Sequence, residues 1–286
     1  MILKVRPLPR SASPECPRNI YDGLARMTAL DHRFDVARIV CADAGALALS
    51  MLPPPGAGAG TLKGAQDWLT EADGAVERFL SDALSRHFPE DGFQGEEAGA
   101  ARRGVLRWVV DPIDGTSNFA RGGTRWCVSV GLLDDRQPLL GVLTAPALGE
   151  TYAACAGRGA TLNGEPIRAA ATTDLRRAIV EAGWSPRRGN DGYLALCGRI
   201  MATGSMLRAG GSGALGLAEV AAGRLDGYAE LHINLWDVAG ALALLAEAGA
   251  HVSDFMAGDG PAHGAPMLAA APGVAVGLTA AAALPG

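Results

Sequence analysis

Asp111 and Asp114 stand three residues apart in Trp108-Val-Val-Asp-Pro-Ile-Asp-Gly-Thr-Ser-Asn-Phe119, directly after a short apolar run. The run reads as a strand that delivers Asp111 at its C-terminal end, where Pro112 stops further ladder pairing. Asp114-Gly115 then turns the chain, and Thr116 opens a helix. Two carboxylates across such a turn can converge on oxygen-preferring ions. The amides of Gly115 and Thr116, aimed forward at a helix start, are where a phosphate can be held. An isolated Asp-x-x-Asp-Gly is more often a plain turn. In the full string each residue has a separate task.

Further acids occur in company. Gly95-Glu96-Glu97 follows the apolar Phe93 after a turn, which places an acid at a strand end. Leu235-Trp236-Asp237-Val238-Ala239-Gly240 opens a helix, with Asp237 in its first turn. Singly, Glu96 reads as a solvated acid and Asp237 as a complement to the helix dipole. Together they form an oxygen-only ligand set with no Cys or His interleaved, which suits magnesium rather than zinc.

The elements that must position these acids follow from pattern. Residues 1–29 are rich in proline and arginine without periodicity, and read as a disordered leader. A helix is expected from about Asp31 to Met51, with Phe34, Ile39, Ala42, Ala46 and Leu49 as its apolar stripe and Pro53-Pro54-Pro55 as its stop. A second helix starts after Thr70 as N-cap and carries Val76, Phe79, Leu80, Ala83, Leu84 and Phe88 on one face. Trp126–Leu133, Leu139–Ala145 and Glu150–Ala156 read as an antiparallel meander. The C-terminal half alternates strands (178–183, 206–209, 227–230, 251–255) with helices (193–201, 212–222, 236–248) before a last strand and helix from Met267. Antiparallel strands first and mixed units later predict a layered α+β sandwich, one compact unit over 30–286 with sub-halves of about 30–158 and 159–286.

Composition narrows the function classes. The 286 residues are 49% hydrophobic and 19% charged with mean hydropathy +0.15, which fits neither disorder nor a fibrous repeat. A formal charge of −5 offers no basic field for nucleic acid or an anionic membrane. Any anionic ligand must be held by ions or backbone amides instead. No apolar run reaches the roughly 18–20 residues of a membrane span. The five scattered cysteines, without a CxxC pair, argue for a reduced compartment, and the expectation is a cytoplasmic protein. Gly211-Ser-Gly213-Ala-Leu-Gly216 matches G-x-G-x-x-G, but only a short strand precedes it. It reads better as the glycine-rich start of a helix lining a substrate pocket.

Glu96, Asp111-Pro-Ile-Asp114-Gly-Thr116 and Trp236-Asp237-Val-Ala-Gly240, in this order and spacing, resemble the signatures of the inositol monophosphatase family. Lys63-Gly-Ala-Gln-Asp67-Trp-Leu-Thr70-Glu-Ala-Asp73 resembles its early segment, and the similarity runs from about residue 32 to the C-terminus. The family belongs to the lithium-sensitive, magnesium-dependent phosphatases, with fructose-1,6-bisphosphatase. The resemblance implies an αβαβα layered sandwich, commonly dimeric, with two to three Mg2+ ions.

It implies that Glu96, Asp111, the Ile113 carbonyl and Thr116 hold a first metal. Asp111, Asp114 and Asp237 hold a second, and Asp73 with Glu96 a weaker third. Glu96, Thr116 and Asp114 become the catalytic residues. Gly115 and Thr116 become the phosphate turn, with Asp114, Gly213, Glu230 and Asp237 on the substrate side. The implied activity is hydrolysis of inositol phosphate or a similar small polyol or sugar phosphate, with no nucleic-acid or membrane partner. Histidinol-phosphate phosphatase is the enzymatic alternative, and a regulatory protein retaining the fold is the alternative of another class. Arg121 and Arg125 follow the first motif and are candidates to reach a second anionic group. His232 lies between Glu230 and Asp237 and is a candidate to face the pocket, and Lys63 to face the site.

Overall fold

The computed structural model describes residues 18–284 apart from 59, 65, 66, 136 and 186. The first half runs α1 (Arg18–Ser50), a β1–β2 hairpin (Thr61–Gly64, Asp67–Leu69), α2 (Glu71–His87), β3 (Gly92–Gly95), β4 (Ala100–Arg102), β5 (Leu106–Asp114) and α3 (Thr116–Phe119). The meander β6 (Cys127–Asp134), β7 (Gln137–Ala145) and β8 (Glu150–Cys155) follows, then β9 (Ala160–Leu162) and β10 (Glu165–Ile167). The second half is β11 (Ile179–Gly183), α4 (Asn190–Ala202), β12 (Met206–Arg208), α5 (Gly213–Ala221), β13 (Gly227–Ile233) and α6 (Leu235–Glu247). It closes with β14 (His251–Val252), α7 (Gly260–His263), β15 (Ala265–Ala270) and α8 (Ala275–Ala282).

The strands form an eight-stranded sheet, β10-β9-β8-β7-β6-β5-β3-β4, antiparallel except where β3 joins β5 in parallel. A five-stranded sheet, β12-β11-β13-β15-β14, is mixed. Alternation along β5 sends Trp108 and Val110 into the core under α1 and α2, and Val109 into the core under α5 and α6. Helices α5 and α6 pack between the sheets, and α4 and α8 cover the far face of the second. The layers are therefore helix, sheet, helix, sheet, helix, as the resemblance implies. Among the described residues no helix is long and apolar enough to cross a membrane.

Two local expectations are corrected. Helix α1 begins at Arg18 rather than near Asp31, so the latter part of the expected leader is helical; residues 1–17 lie outside the described residues. Its buried face is Val36, Ala37, Val40, Cys41, Ala44 and Ala48, while Ile39, Ala42, Ala46 and Leu49 are exposed. Small residues win that face because the helix lies close on the sheet: a β-carbon at Gly45 would stand 2.9 Å from Thr144 Cγ2. Pro112 also does not end β5. The ladder steps over Pro112 and Ile113 in a bulge and resumes where Asp114 pairs with Cys127. Helix α2 matches its expectation, with Thr70 N–H and Oγ1 donating to Asp73 Oδ2 at 2.8 and 2.6 Å.

Candidate metal and phosphate site

The bulge in β5 aims both its acids at one point. The Ile113 amide donates to Asp111 Oδ1 at 2.9 Å, which folds the turn back on the first carboxylate. Asp114 accepts from the Ser212 hydroxyl and from the Gly213 and Ala214 amides at 3.2 and 2.9 Å, at the start of α5. Gly115 sits at φ +96°, and a β-carbon there would press on the Arg125 carbonyl oxygen at 2.9 Å, so the turn demands glycine. Asp237 closes a capping box on α6, accepting from the Asn234 amide at 2.8 Å. One carboxylate oxygen from each of Asp111, Asp114 and Asp237 lies within 4.8 Å of the others.

A cleft of about 450 Å3 opens over this cluster, lined by Glu96, Asp114, Gly115, Thr116, Gly213, Glu230, His232 and Asp237 among others. Thr116 Oγ1 donates to the Ile113 carbonyl at 2.9 Å and stands 3.5 Å from Asp73 Oδ1. Every residue assigned to the site from sequence is thus either on the cleft wall or bonded to a residue that is, apart from Asp111, which belongs to the acid cluster. Helix α3 proves only four residues long, so the expected helix start at Thr116 is a single turn. His232 lines the cleft, with Nε2 3.0 Å from the His263 carbonyl oxygen. The Lys63 side chain lies outside the described residues.

Burial, and then the charges of Glu96, Asp114, Asp237 and Asp73, hold Asp111 well above the ordinary carboxylate range. Asp114 is pushed up to about 7 by burial and by Asp237, against the hydrogen bonds from Ser212, Ala214 and Gly213. Burial raises Asp237 too, opposed by the Asn234 amide. Glu230 reaches about 8 through burial first, with Asp237 and Asp114 adding to it and the Tyr228 hydroxyl opposing. A buried group of carboxylates that repel one another and offer only oxygen fits a hard divalent cation, whose charge would reverse these shifts.

A pH dependence follows for the metal-free protein. The folded state keeps protons on Asp114 and Glu230 that the unfolded chain loses above its ordinary carboxylate range. This contribution to stability is therefore fully present only below about pH 4 and is lost progressively as pH rises to 7–8. We expect Tm without metal to drop by on the order of 10 °C or more over that rise, and divalent metal to abolish the drop. Thermal melts in chelator and in excess metal check this; a metal-free Tm that climbs toward pH 8 would contradict the assigned shifts.

One acid escaped the sequence reading. Glu77, buried on α2, accepts from the Glu97 and Ala98 amides at 2.8 and 2.7 Å and so clamps the backbone just after Glu96. A β-carbon at Gly95 would overlap the Glu77 carboxylate, which explains that glycine. Its place on the buried face of α2 was the available signal. The two arginines after the first motif are also committed elsewhere. Arg121 donates to the Ser117 carbonyl at 3.0 Å and lies over the Trp68 ring, and Arg125 is bound by Glu181 and Glu219.

Five alternating layers around an acidic, oxygen-only cluster define a class of metal-site α+β sandwich, and the comparisons place this chain within it. The sequence matches the inositol monophosphatase family over residues 30–284. It is 37% identical to the Nus factor SuhB of Xylella fastidiosa over 70% of this chain and 73% of that one. It is 39% identical to the inositol-1-monophosphatase of Mesorhizobium japonicum over 69% and 76%. Among solved structures, the Thermotoga maritima IMPase superposes with a TM-score of 0.79 at 30% identity, covering 88% of this chain and 97% of that one. The chain belongs to the inositol monophosphatase family.

Proposed function

We propose that this protein is a magnesium-dependent phosphomonoesterase that hydrolyses inositol phosphate or a similar small polyol or sugar phosphate. The observation that carries it is the trio Asp111, Asp114 and Asp237, oxygens within 4.8 Å of one another at a cleft. Relatives named inositol-1-monophosphatase and fructose-1,6-bisphosphatase/inositol-1-monophosphatase support the substrate class. In this reading the trio, with Glu96 and the Ile113 carbonyl, holds Mg2+, and Asp73 serves an outer position. When bound, Mg2+ acidifies water and neutralises charge on phosphoryl and leaving oxygens.

The chain's own residues supply orientation. Thr116 donates its proton to Ile113, which leaves its oxygen lone pairs to accept from a water in the cleft. Glu96, on the same wall, orients that water and takes its proton. Phosphoryl transfer depends on positioning and electrostatics, so no protein nucleophile is needed. Glu230, anchored by the Tyr228 hydroxyl, faces the cleft beyond the acid trio and binds substrate hydroxyls.

The roles separate kinetically. Glu96→Gln depresses kcat at every substrate concentration, because it serves only the chemical step. Glu230→Gln mainly raises KM, by about 1–3 kcal/mol of binding, the range for a hydrogen bond to a charged group. Steady-state kinetics of both decide; a pure kcat defect in Glu230→Gln removes its assignment to recognition.

A phosphate-release screen over a panel of phosphomonoesters, with magnesium and with chelator, tests the whole reading. Turnover of a polyol phosphate that needs magnesium and falls with lithium is expected. Full turnover in chelator, with carried-over metal excluded, sinks it. Relatives named Nus factor support a second reading, a partner of other macromolecules. Such binding would survive Asp114→Asn, whereas turnover would not.

A further inference from the structure

Glu181 on β11 is 1% exposed, yet it reaches the cleft wall from beneath. Its Oε2 accepts from Arg125 Nη2 at 2.8 Å and from Arg208 Nε and Nη2 at 2.8 and 2.5 Å. Glu219 on α5 accepts from Arg125 Nη1 at 2.8 Å and from Arg208. Two arginines and two glutamates thus close a charge-balanced ring that joins the segment after α3, β11, β12 and α5. Such a ring is costly to desolvate and costlier to break at one member.

The ring has an outlet toward the acid trio. Glu181 Oε1 accepts from the Gly210 amide at 3.2 Å. Asn118 Nδ2 donates to the carbonyls of Gly210 and Arg125 at 3.0 and 2.8 Å. A β-carbon at Gly210 would stand 2.2 Å from Arg125 Nε and 2.5 Å from Glu181 Oε1, so the segment lies directly on the ring. Two residues on, the Ser212 hydroxyl and the Gly213 and Ala214 amides hold the Asp114 carboxylate.

We infer that Glu181, Arg125, Arg208 and Glu219 are positioning residues: their ring braces the Gly210–Ala214 segment, which fixes Asp114 for metal. The inference rests on the reading of Asp114 as a metal ligand. The ring contributes no ligand and touches no reacting atom. Its effect on the site is to fix one carboxylate in advance, so that metal binding does not have to order it.

The test titrates Mn2+ alone, followed by calorimetry, into wild type, Asp114→Asn, Glu181→Gln and the charge-balanced Glu181→Ala/Arg208→Ala, which leaves the Arg125–Glu219 pair. Both Glu181 variants should weaken Mn2+ at least fivefold, with a far-ultraviolet circular dichroism spectrum like wild type. Their kcat should recover at saturating metal, with KM for the phosphomonoester little changed. A folded Glu181→Ala/Arg208→Ala that binds Mn2+ within twofold of wild type overturns the brace. If both variants fail to fold, Arg208→Lys, which keeps the ring's charge but loses the fork that joins Glu181 to Glu219, decides by the same two thresholds. Equal Mn2+ binding by wild type and Asp114→Asn would instead overturn the metal reading, and the brace with it.

Discussion

Asp114→Asn should cost turnover a factor of about 1,000, at the upper end of the range for losing a preorganised electrostatic group at a reacting centre, while the fold survives. The side chain keeps its shape, and its one amide oxygen, placed at the Oδ2 position, can still accept from Ser212 and Ala214. The Gly213 hydrogen bond to Oδ1 and the charge are lost, and in the metal-free protein that charge is a burden: burial and Asp237 already push the carboxyl up to about 7. The same substitution should therefore leave the metal-free Tm at pH 8 equal to wild type or above it, and remove the rise that metal brings. Opposite signs for activity and metal-free stability are hard to obtain from a merely structural residue. Kinetics at saturating magnesium, beside melts in chelator, measure both. Near wild-type kcat would show that Asp114 is no ligand.

Gly141→Ala should be the most damaging glycine-to-alanine change among the described residues. A β-carbon there would lie 1.8 Å from the Gly240 carbonyl oxygen, inside the helix that carries Asp237. Gly131 and Gly240 meet the same contact from either side, with virtual β-carbons 2.6 Å from the Ala239 carbonyl carbon and the Ser129 hydroxyl oxygen. Neither partner is a flexible tip that can swing away, since the sheet and the helix backbone face each other. Overpacking costs about 1–3 kcal/mol, and backbone on both sides puts this at the upper end, on the order of 5–10 °C in Tm. Activity should fall further than stability, because any relief moves α6 and hence Asp237. A Tm within a degree of wild type would mean that helix and sheet can part freely.

Most of the candidate site was legible because its residues are local. Asp111, Asp114, Gly115 and Thr116 share one turn, and Asp237 and Thr70 announce themselves by cap chemistry. The order of strands and helices followed from alternation and turn residues in the same way. What stayed hidden depends on the third dimension. Arg125 lies 56 residues from Glu181 and 94 from Glu219, so it read as a candidate for a second anionic group of the substrate and the two glutamates gave no signal. Glu77 is an acid on an otherwise apolar helix face, which periodicity treats as an error rather than as a clamp. The stripe of α1 was misplaced because the helix is rich in apolar residues on several faces and periodicity alone does not choose among them, whereas close approach to the sheet selects Ala37, Cys41, Ala44 and Ala48. Pro112 breaks a ladder in isolation, but a bulge carries the strand past it.

The middle layer settles how the molecule comes apart. Helices α5 and α6 belong to the core of the first sheet and reach the second, and each bears part of the acid cluster's support. Neither sheet can peel away alone without unseating Asp237 or the Ser212 segment that holds Asp114. We therefore expect the two sequence halves to unfold as one cooperative unit rather than as two modules joined at a cleft. Loss of turnover should then track the loss of either sheet, and only an outer layer such as α4 and α8 could fray without touching the acid cluster.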